Sequence, residues 1–284
     1  MSTKIIALVD GSIYSQSVCE HAAWVAERTG WAVELLHILG RREGAEKADY
    51  SGSIALGART ALLEELAELD AQRARLVTHR GRAILEDARA ILDRAGINEI
   101  TTRLRHGDIV DTVAAQESEA EMILIGKRGE AADFAKGHLG SNLERIVRAS
   151  RKPVFVAARA FKPIAQVLIA YDGGASAMRA VEHVARTPLY RDLHVSVVTV
   201  GSATNAARKG LADAHAALTA VGISASTDIV PGQPETVLGK LANEAPYDLV
   251  VMGAYGHSRI RSLIIGSTTT EMIRSCKVPI VLTK

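Results

Sequence analysis

The sequence of 284 residues predicts an α/β protein built from two doubly wound, parallel-sheet domains. The first observation is an internal repeat, because "KIIALVDGSIYSQSVCEHAAWVA" (4–26) is similar to "QVLIAYDGGASAMRAVEHVA" (166–185). The second is that continuous apolar runs alternate with amphipathic helical patterns, which is typical of parallel strands buried on both faces. A short connection near 158–166 separates the copies, so we expect domains at 1–160 and 161–284.

The elements follow the same order in each copy. A first apolar strand ends in an aspartate, Asp10 or Asp172, and a glycine and a helix come next. The second strands are "AVELLHIL" and "HVSVVTV", and later apolar runs end in Gly126 and Gly253. A glycine stretch, a helix and a last strand, "KPVFVAA" or "VPIVLTK", complete each copy. This order predicts a parallel sheet with right-handed crossovers in each domain.

The first copy carries an insertion near 41–80. His37 and the later Gly107 are 70 residues apart, whereas the matching Thr199 and Gly232 are 33 apart. Residues 54–96 predict one long helix or two, with Gly81 as a candidate break. Four leucines of this segment follow helical spacing, and we expect them to pack on their own sheet or on the other domain. The alternative is an arm that joins two chains. These leucines are Leu62, Leu66, Leu69 and Leu76.

Composition excludes several classes of function. The chain has 34 basic and 32 acidic residues, and this balance gives no general attraction to nucleic acid or to a membrane. The start has no signal-peptide pattern, and no apolar stretch is long enough to span a membrane, so we expect a cytoplasmic protein. Cys19 and Cys276 lie in predicted helices and are expected to be reduced free thiols. His21 and His183 occupy equivalent helical positions and are interpreted as packing residues.

The stretch "GAYGHSRIRSLIIGS" (253–267) has the chemistry of an anion site. Glycines let backbone amides approach a ligand, and the amino end of the following helix adds unpaired N–H groups. His257, Arg259 and Arg261 add positive charge, while Asp172 suits a ribose hydroxyl or an adenine amino group. Glycines at a strand-to-helix turn can also serve the turn alone, and that alternative stays open.

These residues resemble the G-x2-G-x9-G-[ST] pattern of the universal stress protein family, and the resemblance extends over nearly the whole chain. It implies an adenine nucleotide alpha hydrolase-like fold with strand order 3-2-1-4-5 in each domain. It also implies ATP as the ligand, or AMP or ADP, with Mg²⁺ accompanying ATP, and pairing of the two halves through their last strands. The nucleoside contacts it implies are Ala170, Asp172 and Val200; the phosphate contacts are Gly253, Gly256, His257, Gly266, Ser267 and Thr268.

The first copy departs from the pattern. Ten residues instead of nine separate Gly129 from Gly140, and they include Glu130 and Asp133. A carboxylate about 4 Å from a phosphate costs on the order of 4 kcal/mol at an effective dielectric constant near 20. Lys127 offsets part of this repulsion, together with other basic residues nearby. We therefore expect a weak, altered or vacant first site. Its matching positions are Asp10, Ile38, Gly126, Gly129, Gly140 and Ser141.

Three functions remain in competition. The leading hypothesis is a nucleotide-binding module with a regulatory or stress-response role. The second is an enzyme, a slow ATP hydrolase or an adenylate-transferring protein, although no catalytic residues and no metal ligands stand out in the sequence. The third is a scaffold that binds no nucleotide, and a homodimer is compatible with each of the three.

Overall fold

The structure is a computed structural model, and it describes residues 3–40, 56–129, 140–254 and 266–284. The strands of the first half are β1 (Lys4–Leu8), β2 (Ala32–Leu39), β3 (Ile100–His106), β4 (Ala120–Gly126) and β5 (Val154–Ala157). Those of the second half are β6 (Gln166–Ala170), β7 (His194–Val200), β8 (Ser224–Val230), β9 (Leu249–Gly253) and β10 (Ile280–Thr283).

The helices cover both faces of the strands. In the first half they are α1 (Ser15–Thr29), α2 (Leu56–Arg94), α3 (Ile109–Ala114) and α4 (Ser141–Ala149). In the second half they are α5 (Ala175–Arg186), α6 (Asn205–Thr219), α7 (Pro234–Glu244) and α8 (Ser267–Ser275). Short 3₁₀ turns lie at Glu117–Glu119 and Pro188–Tyr190. Among the described residues, no helix combines the length and the apolar character that a membrane crossing requires.

All ten strands belong to one sheet with the order β3-β2-β1-β4-β5-β10-β9-β6-β7-β8. The predicted order 3-2-1-4-5 is confirmed, and the second half repeats it in the opposite direction across the sheet. Neighbouring strands within each half are parallel, whereas β5 and β10 are antiparallel, with Phe155 opposite Val281. The two carboxyl edges therefore point in opposite directions.

The hydrophobic core is continuous across the two halves. Residues of β1 and of β6 are buried on both faces of the sheet, as the continuous apolar runs predict. On one face Phe155 packs in the same cluster as Val281, and on the other Val154 shares a cluster with Leu282. The junction of β5 and β10 therefore lies inside the core.

Helix α2 is one continuous helix of 39 residues, so Gly81 does not break it. Gly81 is buried, and a Cβ atom there would lie 2.8 Å from Leu104 Cδ1 and 3.0 Å from His37 Cδ2. The glycine therefore permits close packing of the helix on the sheet. The expectation that the leucine stripe packs on the sheet or on the other domain was wrong at Leu69 and Leu76, which are 55% and 71% exposed.

Of the two predicted packing histidines, His21 is buried and His183 is half-buried, although its Nε2 atom is shielded from solvent. His21 Nδ1 is bonded to the Ser17 carbonyl oxygen, 2.6 Å away, and the ring packs against Phe155 and Phe161. His183 packs edge-on against Tyr190. The two cysteines are buried free thiols, but Cys276 follows α8 directly instead of lying within a helix.

Candidate functional site

The second half gathers its candidate residues at the carboxyl edge of β6, β7 and β9. Strand β6 lies between β7 and β9, so the order of strands along the chain reverses beside it. A crevice at such a reversal is the usual ligand site of a doubly wound sheet. Ala170, Val200 and Gly253 are the last residues of these three strands. The structure thus brings together the ends of the strands that the sequence singled out.

Asp172 is held in a tight turn between β6 and α5. Its Oδ1 atom accepts a hydrogen bond from the Gly174 backbone N–H at 2.8 Å, and Gly173 between them has a φ of 79°. Glycine adopts this left-handed conformation without steric cost. Because Asp172 is exposed while Ala170 beneath it is buried, its carboxylate stands at the rim of the crevice.

The two ends of the second glycine stretch meet beside β9. The Gly266 N–H donates to the Ala254 carbonyl oxygen at 3.3 Å, and the Thr269 hydroxyl donates to the Gly253 carbonyl oxygen at 3.2 Å. Helix α8 therefore begins next to the end of β9, with Gly266 as its N-cap. Its first N–H groups have no partner within the helix, as at the amino end of any helix.

Gly253 has a packing reason to be glycine. A Cβ atom at this position would lie 2.5 Å from Ser176 Oγ and 2.8 Å from Ser176 Cβ, in the first turn of α5. The equivalent Gly126 meets Tyr14 in the same way, with a Cβ-to-Cβ distance of 2.7 Å. The sequence pattern favoured the approach of a ligand as the reason for these glycines, whereas the structure shows that the helix after the first strand also requires them.

Glu235 is a site residue that the sequence argument missed. Its Oε1 atom accepts hydrogen bonds from the hydroxyls of Thr268, at 2.9 Å, and Ser267, at 3.5 Å. A hydrogen bond from its own backbone N–H and the one from Thr268 hold the pKa of Glu235 below its ordinary value. An ionised carboxylate therefore stands at the amino end of α8. A glutamate in the first turn of α7, directly after Pro234, was the available signal, but it is also the ordinary choice at a helix start.

In the first half, the aspartate and the glycine stretch are in contact. A Cβ atom on Gly129 would lie 2.9 Å from Asp10 Oδ2. Asp10 Oδ1 accepts hydrogen bonds from the Ser12 N–H, at 3.0 Å, and the Ser15 hydroxyl, at 3.2 Å. Ser15 has no counterpart with a hydroxyl in the second half, because Ala177 occupies that position. The Asp10 carboxylate therefore accepts a hydrogen bond from a serine hydroxyl that the second half does not offer at the equivalent position.

The remaining first-half positions also lie at the carboxyl edge. Ile38 lies near the end of β2, Gly126 ends β4, and Ser141 begins α4. A Cβ atom on Gly140 would be 3.5 Å from Arg128 Cα, so the start of α4 packs on the segment that follows β4. The structure therefore groups the matching positions of the first copy as well.

Lys127 does not serve the first site in the way the sequence argument assumed. Its ammonium group crosses to the second half and donates to the Cys276 carbonyl oxygen. Burial lowers the pKa of Lys127 to about 8, and the nearby Arg128 adds to the decrease. The lysine therefore links the two halves beside the β5–β10 junction.

Several candidate residues lie outside the described part of the chain. They are Gly256, His257, Arg259 and Arg261 in the second copy, and Glu130 and Asp133 in the first. Within the described ranges, histidine, cysteine, aspartate and glutamate side chains form no group of three or more that could hold a metal ion.

The fold and the candidate site define a class: an open, doubly wound α/β fold that occurs twice in one chain, with a candidate ligand crevice at the carboxyl edge of each set of parallel strands. The sequence pattern of the universal stress protein family matches residues 1–158 and 201–284. The chain therefore belongs to the universal stress protein family.

Relatives of full length support this assignment. Universal stress protein Slr1230 of Synechocystis is 35% identical over 282 residues, 98% of each chain. A universal stress protein structure from Archaeoglobus fulgidus superposes with a TM-score of 0.74 at 20% identity, covering 100% of this chain and 99% of that one. A Pseudomonas aeruginosa protein of unknown function, PA1789, gives a TM-score of 0.62 at 14% identity, with 100% and 92% coverage. The two structures show that the tandem fold recurs at low identity.

Proposed function

We propose that this universal stress protein is a nucleotide-binding regulatory or stress-response protein that binds ATP mainly in a second domain, 161–284. The first domain, 1–160, would keep the fold with a weak or altered site. The two buried free thiols, Cys19 and Cys276, suit the reducing environment of a cytoplasmic location.

One observation carries the proposal: Asp172 and the amino end of α8 flank the same crevice from two different elements. Asp172 lies at the end of β6, where its carboxylate can accept hydrogen bonds from ribose or from an adenine amino group. Helix α8 begins beside the end of β9, the strand next to β6, where its N–H groups can bind phosphate. In this proposal Gly256 and His257 also contact the phosphates.

Glu235 determines how the phosphates would be accommodated. Its carboxylate accepts hydrogen bonds from the hydroxyls of Ser267 and Thr268, and these same hydroxyls are assigned to phosphate. A bare triphosphate would be repelled by this charge, whereas Mg²⁺ prefers carboxylate, hydroxyl and phosphate oxygens together. The site therefore suits ATP accompanied by Mg²⁺, or a nucleotide with a shorter phosphate chain.

The chain offers a matched pair of variants for the test. Asp172→Ala should weaken ATP binding about 10- to 100-fold, the range for losing a hydrogen bond to a charged group. Asp10→Ala, the same change in the first half, should leave the principal affinity within about twofold, since the two sites are independent. Isothermal titration calorimetry with ATP and AMP measures both, and mass spectrometry of nucleotide released on denaturation identifies the resident ligand.

Three results would contradict the proposal. Equal affinity for ATP in the wild type and in Asp172→Ala would remove the assigned site. A protein that neither retains nor binds any adenine nucleotide would favour the scaffold function instead. Loss of binding in Asp10→Ala, with Asp172→Ala unaffected, would transfer the principal site to the first domain.

Slow ATP hydrolysis is the second candidate function, and the position of Glu235 is the observation in its favour. A carboxylate beside the phosphate cradle can orient a water molecule or accept a proton. In a turnover assay, an enzyme would lose sustained hydrolysis in Glu235→Gln while it still binds ATP. A binding protein would show no sustained hydrolysis before or after the change.

A further inference from the structure

Residues 62–80 of α2, here called the arm, expose an unusual amount of apolar surface. Large apolar side chains that are exposed in the described part of the chain number five, and three of them lie in the arm. Leu63, Leu69 and Leu76 are 51%, 55% and 71% exposed. Exposed apolar side chains that cluster on one element commonly mark an interaction site.

Four leucines of the arm form one stripe, and Leu63 lies outside it. At 100° per residue, Leu62, Leu66, Leu69 and Leu76 fall within an arc of about 80° on the helix surface. The residues that face the sheet further along α2 are Leu85, Ala88 and Leu92, and their centre lies about 100° around the helix from the stripe. The sheet could therefore not cover the stripe even if it extended under the arm.

The arm projects beyond the carboxyl edge of the first half. Gly81 contacts His37 near the end of β2, and Ile84 contacts Gly11 just after β1, so these helix residues lie level with the edge. Helix α2 runs back along the sheet from this edge towards β3. The preceding residues, 62–80, therefore extend past it over about 28 Å, at 1.5 Å per residue.

Charge is segregated along the arm and just beyond it. The first part, 62–72, has four exposed acidic residues and no basic one, and the following part, 73–82, has four exposed arginines and no acidic residue. The acidic residues are Glu64, Glu65, Glu68 and Asp70; the arginines are Arg73, Arg75, Arg80 and Arg82.

We propose that the arm is a dimerisation element that pairs antiparallel with the arm of a second copy of this chain, about a two-fold axis. Antiparallel pairing sets each acidic part against the basic part of the other copy, whereas parallel pairing would oppose like charges. A two-fold interface uses the same surface on both copies, which a self-complementary stripe of this kind provides.

One register satisfies both the apolar and the charged groups. When Leu66 of one copy faces Leu76 of the other, Leu69 of each copy meets the aliphatic stem of Arg73 across the axis. Asp70 of each copy then lies within reach of the guanidinium group of Arg73 in the other. The dimer would form beside the first-half crevice, because the arm projects from that edge, and it does not require the proposed nucleotide site.

Sedimentation velocity over a concentration series at low salt tests the proposal. The wild-type protein should form a dimer, and Leu69→Glu with Leu76→Glu should raise its dissociation constant at least 100-fold, since four leucines are removed from the interface. Ala71→Glu is the matched control, because Ala71 is exposed on the opposite side of the helix and should leave the dimer intact. Thermal unfolding of the variants verifies that the body of the protein remains folded.

Charge reversal tests the antiparallel orientation. Arg73→Glu with Arg75→Glu leaves Arg80 as the one arginine of a strongly acidic arm, and Glu68→Arg with Asp70→Arg makes the arm strongly basic, so each variant alone should be monomeric. An equimolar mixture of the two should form heterodimers that weaken as salt is added. A monomeric wild type, a dimer unaffected by the leucine changes, or a mixture that stays monomeric would overturn the proposal.

Discussion

Helices α2 and α6, which follow β2 and β7, have similar carboxyl ends but different amino ends. Both ends carry a glycine with positive φ, Gly96 at 79° and Gly222 at 82°. In α2 the backbone N–H of Ile97 donates to the Leu92 carbonyl oxygen, and in α6 the N–H of Ile223 donates to the Leu218 carbonyl oxygen. Helix α6 begins after Thr204, whereas the equivalent position of α2, Thr78, lies within the helix.

A duplicated fold of this kind tolerates added residues where a helix projects beyond the sheet. The buried faces correspond, since Leu85, Ala88 and Leu92 match Leu211, Ala214 and Leu218 in spacing and in burial. The added turns are at the amino end, beyond the edge of the sheet, where they displace no core residue. The first half thus gained a projecting surface while its core stayed like that of the second.

The equivalent histidines His21 and His183 should give the greatest effect, a dependence of stability on pH. Burial lowers the pKa of each to about 4, from 6.5. Unfolding restores the ordinary value, so each neutral ring stabilises the fold fully above pH 6.5, and the contribution is lost as the pH falls to 4. The loss is about 3 kcal/mol per histidine.

Denaturant unfolding between pH 4 and 7 measures this dependence. His21→Leu and His183→Leu should each remove about half of it, and the hydroxyls of Ser17 and Thr187 keep carbonyl partners in these variants. An unchanged pH dependence in either variant would show that the halves are not equivalent at this position.

The glycines that end β4 and β9 should give an intermediate effect on stability. Gly253→Ala and Gly126→Ala should each destabilise the protein by roughly 1–3 kcal/mol, the usual cost of overpacking, because the new Cβ meets Ser176 or Tyr14. Ser176→Gly should restore stability in the Gly253→Ala background. Unfolding titrations measure the cost.

Gly239→Ala is the control for this pair. Its Cβ would meet open space on α7, so the change should stabilise the helix by up to about 1 kcal/mol. If Gly253→Ala instead keeps full stability and loses nucleotide affinity, Gly253 serves the ligand and not the packing of α5.

Substitutions of Thr204 and Thr78 should have the least effect on stability. The Thr204 hydroxyl accepts a hydrogen bond from the Ala207 N–H at 3.1 Å, so Thr204→Ala removes a helix cap and should cost about 1 kcal/mol. Thr78 donates to the Ala74 carbonyl oxygen inside α2, and Thr78→Ala should change stability by less than about 0.5 kcal/mol. Equal costs, measured by thermal unfolding, would mean that α2 also begins near Thr78 in solution.

Much of the fold was predictable because it depends on local patterns. The apolar runs of β1 and β6 and the aspartates after them predicted parallel strands and their carboxyl edges, since a strand buried on both faces must be apolar throughout. The edge strands β3 and β8 carry exposed and half-exposed polar residues, and neither strand forms a continuous apolar run in the sequence. Strands at the edge of a sheet need less apolar sequence because one side meets water.

The candidate site was predictable only in part. Asp172 and Gly253 were placed at the strand ends by their position after apolar runs. Glu235 was missed because its partners, Ser267 and Thr268, lie more than 30 residues away in the sequence. Lys127 was misassigned because its acceptor belongs to the other half of the molecule.

The amino-acid sequence alone specifies the duplication, the alternation of strands and helices, and the length of the insertion, because each follows from the local order and period of the residues. Three features became visible only in the folded structure. Gly253 and Gly81 must be small because other residues pack against them, Lys127 and Glu235 have partners distant in sequence, and the leucine stripe of α2 is exposed. Those outcomes depend on which surfaces meet after the chain folds, and two surfaces distant in sequence leave no periodic signal of their contact.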